Sequence, residues 1–389
     1  MHLYQPANAD DGRIIEATKK SYERIVRGLE EHPWVKFTMN ISGCLVLRWA
    51  ELGRTDLIER IKRLVAMGQI ELTGTVAYHP LLPLTHKREI VKQVKENEKI
   101  LKKYFGQSRP KGFFSPEMAY GVTVAKLIKK LGYKWIILDE MAAARAQDFL
   151  WQQIYKDKAS DLKVIFRSRK FSGSYVPDFL NNLTPRPPLL RKEREEAKRM
   201  GEVIITATDG ELYGLRHEDP TGEFEKLLKN KKIKTKLISD YISGFKNIDK
   251  IKLRPSNWES TEEELKKKSP YFSWRNKKSK IQKKIWQLAE LSYEIVESRE
   301  DDENYQWARW HLVRGLASCT FWWASEKDFS HIFGPFAWSP DEIERGVNEL
   351  IRSVRSLHDS TARKTKMKAE KIYAKIKEMV WTRHWKIHE

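Results

Sequence analysis

Several apolar runs of this chain end on groups that can move protons or attack carbon. His2-Leu3-Tyr4 passes into Gln5-Pro6, and Gln69-Ile70-Glu71 is followed by Tyr78-His79-Pro80. Gly112-Phe113-Phe114 leads to Ser115-Pro116-Glu117, and the run ending at Thr208 is followed by Asp209-Gly210-Glu211. Glu117 and Asp209 close two separate runs. Two carboxylates meeting at one mouth suit a glycosidic bond: the ionised one attacks the anomeric carbon, and the protonated one donates to the leaving oxygen. Pro116 stiffens the turn that aims Glu117, and Gly210 lets the backbone approach a ligand closely or take positive φ. On these residues alone the ordinary alternative stays open, since a carboxylate at a strand end also caps a helix or meets a lysine.

Other chemistries lack their residues. His384 and His388 stand four apart, but no HExxH glutamate or third ligand accompanies them, so they read as a solvated tail. There is no GxSxG elbow, no GxxxxGK loop and no GxGxxG turn. No cofactor and no metal are therefore expected. The net charge of +20 comes from 73 Lys+Arg against 53 Asp+Glu. It is spread over Lys226 to Lys236, Lys266 to Lys284 and Arg363 to Lys377, on a chain rich in both signs. Such a charge attracts polyanions, yet no RRM, KH, zinc-finger or basic-zipper pattern accompanies it, which argues against a nucleic-acid partner. No uncharged apolar stretch is long enough to span a bilayer, so no membrane partner is expected. The start lacks a secretory pattern, and Cys44 and Cys319 lie far apart, so a cytoplasmic location is expected.

These groups need elements to position them. Strand-like runs lie at 1–4, 35–40, 69–74, 112–115, 135–139, 202–208 and 250–256. Between them, 12–31 and 43–66 keep helical periodicity through Ile14, Ile25, Leu29, Leu57, Ile61 and Leu64. This alternation predicts a parallel α/β sheet or barrel. The interval 145–200 breaks the rhythm: LKVIFRSRKFSG reads as a hairpin or lid strand, and a proline break precedes a charged helix. Beyond 278 only helices are expected, at 280–298, 304–324, 340–357 and 363–381, with Ser339-Pro340-Asp341-Glu342 as a marked start.

Four motifs, taken in order, resemble glycoside hydrolase family 57. His2-Leu3-Tyr4-Gln5-Pro6 is similar to its HxHQP opening, and Gly68-Gln69-Ile70-Glu71-Leu72 to its GQxE strand. Phe113-Phe114-Ser115-Pro116-Glu117 resembles its WLPE region, and Asp209-Gly210-Glu211-Leu212-Tyr213-Gly214 its DxExFG region. A fifth region is echoed at Ala317 to Trp323. Tyr4 stands where the family often has a second histidine, and Phe114 where tryptophan is common.

The resemblance implies a (β/α)7 barrel over 1–278, with 145–200 inserted in it, and a C-terminal helical domain over 279–389. It implies a cytoplasmic enzyme acting on α-glucosidic bonds with net retention, as amylase, 4-α-glucanotransferase or branching enzyme. Glu117 would be the nucleophile and Asp209 the acid/base, their carboxyls about 5–6 Å apart. His2, Glu71 and Glu211 would hold the sugar, with Tyr4, Gln5, His79 and Phe114 beside them. Trp323 and Trp338 are candidate stacking platforms for sugar rings. A catalytically weak glycan-binding protein, or one associated with polyanions, is the reading from another class. Two further expectations follow: the reading frame extends upstream of Met1, since Met1 directly precedes His2, and 145–200 covers the mouth of the barrel.

Overall fold

The computed structural model describes residues 1–107, 109–143, 149–150, 152–183, 203–327 and 337–387. The chain divides into two compact units. The first comprises Met1–Gln5, Ala9–Ala77 and Leu82–Trp258, and the second comprises Pro6–Asn8, Tyr78–Leu81 and Glu259–Glu389. The boundary expected at 278 falls inside the second unit.

The first unit is parallel α/β. Strands β1 (His2–Leu3), β2 (Phe37–Ile41) and β3 (Ile70–Leu72) pair in that order, all parallel. The remaining strands are β4 (Gly112–Phe114), β5 (Trp135–Asp139), β6 (Tyr155–Asp157), β7 (Lys163–Arg167) and β8 (Lys250–Ile251). They form a second sheet in the order β4-β5-β7-β6-β8. Alternation sorts the side chains of β4, β5 and β7. Phe113, Ile136, Val164 and Phe166 join the core on one face, while Phe114, Ile137 and Ile165 join that on the other. Both faces are buried, which is why these strands read as continuous apolar runs rather than alternating ones.

One sequence expectation is sharpened here and one corrected. Lys163–Arg167, read as a hairpin or lid strand, is a hairpin arm: it pairs antiparallel with β6, Tyr155↔Val164 and Lys156↔Lys163, and on its other edge it pairs parallel with β5 over five residues, Trp135↔Lys163 through Asp139↔Arg167. Its arginine and lysine ends disguised three buried residues, Val164, Ile165 and Phe166. The run at 202–208 forms no regular strand over its described part. It makes single backbone bonds instead, His2 N to Thr208 O at 2.9 Å and Ser168 N to Ile205 O at 3.0 Å. The charged helix expected after the proline break lies outside the described residues, while 149–150 and 152–183 of the expected lid are described.

The helices of the first unit follow the apolar periodicity. In Thr55–Ala66 the buried positions are Leu57, Ile58, Ile61 and Leu64. The helical stretch expected over 12–31 is regular at both ends, Asp11–Ala17 and Glu23–Glu31, but its middle turn Thr18–Tyr22 is π-helical.

The second unit is helical. Its helices are Glu262–Lys266, Lys280–Glu297, Tyr305–Gly315, Ser318–Trp322, Pro340–Arg355 and Asp359–Ile387. Ser339 caps the fifth as its sequence signalled, accepting from the Glu342 amide, with Pro340 in the first turn. Tyr293, Val296, Ala308, Leu312, Leu357 and Ala362 form a core cluster of this unit. Ile372 and Ile376 of the last helix are buried, so that helix packs by its apolar face. No helix among the described residues is long and apolar enough to cross a membrane.

Candidate active site

Glu117 is held by backbone at the end of β4. Ser115 Oγ donates to the Ala119 carbonyl at 2.7 Å, and a single 3-10 turn covers Pro116–Met118. Within it Glu117 (φ 59°) and Met118 (φ 48°) are both left-handed. Neither is a glycine, and such residues cost about 1–3 kcal/mol each unless the surroundings impose them. Here they do. The Trp258 amide donates to the Glu117 carbonyl at 3.1 Å, and the Tyr120 amide to the Ser256 carbonyl at 2.8 Å. Tyr120 Oη in turn donates to the buried Asp157 carboxylate at 3.0 Å. Strain sustained in this way collects at functional sites.

Asp209 is placed through β1. His2 and Asp209 form an isolated parallel bridge. Asp209 Oδ2 accepts from Arg216 Nη1 at 3.0 Å, but the Arg216 side chain is 57% exposed, so this ion pair holds weakly. His2 Nδ1 lies 2.7 Å from Asn40 Oδ1, and Asn40 Nδ2 donates to Thr73 Oγ1 at 3.1 Å. That chain puts the proton on Nδ1 and the lone pair on Nε2. Burial pushes the His2 imidazole down to about 4, against the pull of Asp209, so the ring is neutral at pH 7. Its face stacks on Phe114, with centroids 4.6 Å apart and planes at 18°. Tyr4 lies stacked at 5.9 Å on the same histidine.

Glu211 is buried. Its Oε1 accepts from Gln5 Nε2 at 2.8 Å and from the Tyr22 hydroxyl. Burial, together with the nearby Asp209 charge, pushes its carboxyl up to about 7. The carboxyl lifted toward neutrality beside the candidate pair is therefore Glu211. The turn that follows is tight: a Cβ on Gly210 would lie 2.2 Å from the Leu3 side chain, and one on Gly214 2.3 Å from the Lys20 carbonyl. Gly210 answers the close approach, and Gly214 (φ +123°) also needs the positive φ. Gly214→Ala is expected to lower unfolding stability by about 2 kcal/mol or more, read from a denaturant midpoint at unchanged slope.

The structure brings His2, Tyr4, Gln5, Phe114 and Glu211 into one connected group with the backbone of Asp209. Glu71 is engaged elsewhere: it accepts from Thr38 Oγ1 at 3.0 Å, from the Ser239 amide at 3.1 Å and from the Ser239 hydroxyl. Those bonds tie β3 to the first turn of the helix Ile238–Ser243, where a carboxylate is favoured. His79, Trp323 and Trp338 belong to the second unit. His79 is buried, left-handed (φ 58°) and 3.1 Å from Ser318 Oγ through Nδ1. Trp323 packs edge-on against Trp322, and Trp338 bridges to Ala324.

Sequence reasoning missed Trp258, Asp139, Arg167 and Arg169. The Trp258 ring lies 6.1 Å from His2 and 6.2 Å from Phe114, with the Arg167 guanidinium 5.2 Å over it. The buried Asp139 accepts from Arg167 Nε at 2.8 Å and Arg169 Nε at 2.6 Å, and Arg169 Nη2 reaches the Trp258 carbonyl at 2.7 Å. Asp139 and Arg167 end β5 and β7, so the strand-end rule finds them once β7 is recognised. His2, Asn40, Thr73, Phe114, Met118 and Trp258 help line a cavity of about 770 Å³ in the first unit. Glu117 and Asp209 stand next in sequence to Met118 and Thr208 of that lining.

A parallel α/β unit with acidic strand ends, a stacked neutral histidine and an aromatic wall has the makings of a carboxylate-driven site. The family model of glycosyl hydrolase family 57 matches residues 4–254, and the chain belongs to that family. It is 26% identical over 258 residues to an alpha-amylase of Pyrococcus horikoshii, covering 63% of this chain and 40% of that protein. To a 4-alpha-glucanotransferase of Thermococcus litoralis it is 22% identical over 265 residues, covering 63% and 39%. The chain thus spans about 40% of the length of these relatives. Among solved structures, the 4-alpha-glucanotransferase of Thermococcus litoralis superposes with TM-score 0.69 at 19% identity, over 92% of this chain and 57% of that one. A family-57 branching enzyme of Thermococcus kodakaraensis does so with TM-score 0.66 at 16% identity, over 97% and 94%. At these identities the superpositions speak to the fold alone.

Proposed function

We propose that the chain cleaves α-glucosidic bonds of α-glucans or malto-oligosaccharides with net retention, through Glu117 and Asp209. The observation that carries this reading is the imposed left-handed backbone at Glu117, closing β4 beside the His2–Phe114–Trp258 cluster. Glu117 attacks the anomeric carbon while Asp209 gives its proton to the departing glycosidic oxygen. The Asp209 carboxylate then takes a proton from the incoming hydroxyl, whose oxygen displaces Glu117. Water as that acceptor gives hydrolysis, and a sugar hydroxyl gives transfer. The lone pair on His2 Nε2 suits a sugar hydroxyl, and Phe114 and Trp258 offer rings to the C–H face of a sugar.

The same reading makes the first unit a seven-stranded barrel in which 203–208 stands between β7 and β1. Its support is the backbone bonding at the joints: Gly74 N to Gly112 O and Phe114 N to Gly74 O, both 2.8 Å, and the Thr208 and Ile205 carbonyls accepting from His2 and Ser168.

Incubation with maltoheptaose followed by chromatography tests the function. Shorter oligosaccharides are expected, joined by longer ones if transfer competes. Binding of maltoheptaose with no new product would overturn the reading in favour of a glycan-binding protein.

A further inference from the structure

Neither step of the proposed cleavage uses Asp139, Arg167 or Arg169, yet the three form an ion triad around a buried carboxylate. Asp139 and Arg167 are register partners at the ends of β5 and β7, and Arg169 follows two residues on. The Asp139 side chain is 1% exposed, and its Oδ1 accepts from the Met141 amide at 3.0 Å as well as from Arg169. One arginine already neutralises one carboxylate. A second adds a charge to be desolvated, and such triads are often no more stable than apolar residues of similar volume. What two planar guanidinium forks supply beyond neutralisation is fixed geometry.

Each fork spends a further donor on a segment that leads to one of the candidate carboxylates. Arg167 Nη1 donates to the Ala207 carbonyl at 2.9 Å, two residues before Asp209. That segment forms no regular strand over its described part, so this side-chain bond stands where a ladder bond would. The Ala207 amide is held as well, donating to Ser172 Oγ at 3.2 Å. Arg169 Nη2 donates to the Trp258 carbonyl at 2.7 Å, and the Trp258 amide donates to the Glu117 carbonyl at 3.1 Å. The Arg169 amide is itself fixed by Glu140 Oε1 at 3.1 Å. Asp139 is thus linked toward Asp209 through one arginine and toward Glu117 through the other and Trp258.

We propose that this triad is a clamp that fixes the two candidate carboxylates relative to each other, with Arg167 the positioning residue of Asp209 and Arg169 that of Glu117. The inference rests on the reading of Glu117 as nucleophile and Asp209 as acid/base. Two groups that serve one bond must each be held within about 0.5 Å of the productive geometry. Asp209 follows an irregular segment, and Glu117 sits in a left-handed turn braced by Trp258. β5 and β7 pair over five residues, the longest strand pairing among the described residues. The triad refers both irregular segments to that pairing.

Arg167→Met keeps an apolar stem against the Trp258 ring and removes the bonds to Asp139 and Ala207. On maltoheptaose, kcat/KM is expected to fall about 10²-fold, the cost of misplacing a reacting group by about 1 Å. On 4-nitrophenyl α-maltoheptaoside, whose leaving group needs little protonation, the fall should be about threefold or less. Arg169→Met should instead lower kcat/KM about equally on both substrates, because attack by Glu117 is needed whatever leaves. General loosening of the site would slow both substrates in both variants and would not separate the two arginines. If Arg167→Met fails to fold, Arg167→Lys keeps the charge beside Asp139 without the fork that also reaches Ala207, and should show the same split. An Arg167 variant without the split, an Arg169 variant with it, or either with parental kinetics would overturn the proposal. Equal losses on both substrates in Asp209→Asn would instead overturn the acid/base reading beneath it.

Discussion

Glu117→Gln is expected to fold like the parent and to lose at least about 10⁴-fold of its turnover on maltoheptaose, because shape survives and only the attacking charge is gone. The backbone argument makes this a clean substitution. Glu117 is left-handed because Trp258 and the Tyr120–Ser256 pair hold its carbonyl and the following turn, none of which involves the side-chain charge. Glutamine inherits the same strain. Glu117→Gly relieves it, so the glycine variant should unfold at a higher temperature than the parent while being equally inactive. Such opposite movement of stability and activity marks a residue kept for function. Azide added to Glu117→Gly occupies the vacated space and attacks the anomeric carbon in place of the carboxylate, yielding a glycosyl azide of inverted configuration. Retention of more than a tenth of parental turnover by Glu117→Gln would sink the assignment.

The site was legible in the sequence to the extent that it obeys the strand-end rule. Glu117 and Asp209 follow apolar runs, His2 and Phe114 lie on strands, and the structure bridges His2 to Asp209 and stacks His2 on Phe114. What was illegible has particular causes. β7 was legible as a hairpin arm but not as a neighbour of β5, because its three buried residues are framed by Lys163 and Arg167. Arg167 is charged for a reason that no local pattern discloses, since its partner Asp139 ends a strand 28 residues earlier. Trp258 follows the last strand and touches the site through rings supplied by β1 and β4, a relation made only by folding. Tyr22 falls inside the periodic stretch 12–31, where no local pattern discloses that its hydroxyl meets Glu211, 189 residues on. Glu71 illustrates the reverse case. Its motif resembled a sugar-holding strand end, while its carboxylate is bound to Thr38 and Ser239.

Asp209→Asn should separate protonation from binding. On maltoheptaose, whose leaving oxygen is a poor one, loss of the general acid is expected to lower kcat/KM by about 10²–10⁴-fold, whereas on 4-nitrophenyl α-maltoheptaoside the first step should be nearly unaffected. The second step still needs a base, so glycosyl-enzyme should accumulate on the activated substrate and be visible as a burst of nitrophenol. The same substitution has a signature in stability. Glu211 is lifted from an ordinary 4.5 to about 7 by burial and then by the Asp209 charge. A carboxyl whose folded pKa lies above its unfolded one favours the native state fully below the unfolded value. That contribution is lost as pH rises through the folded value, here over the window from about 4.5 to about 7. Removing the Asp209 charge lets Glu211 ionise more readily, so less is lost. The exposed Arg216 pair given up in exchange is worth little. Asp209→Asn should therefore be more stable than the parent by about 1 kcal/mol at pH 8, with the difference vanishing by pH 4. Equal loss of activity on both substrates, together with a stability difference independent of pH, would show that Asp209 serves the fold rather than the proton transfer.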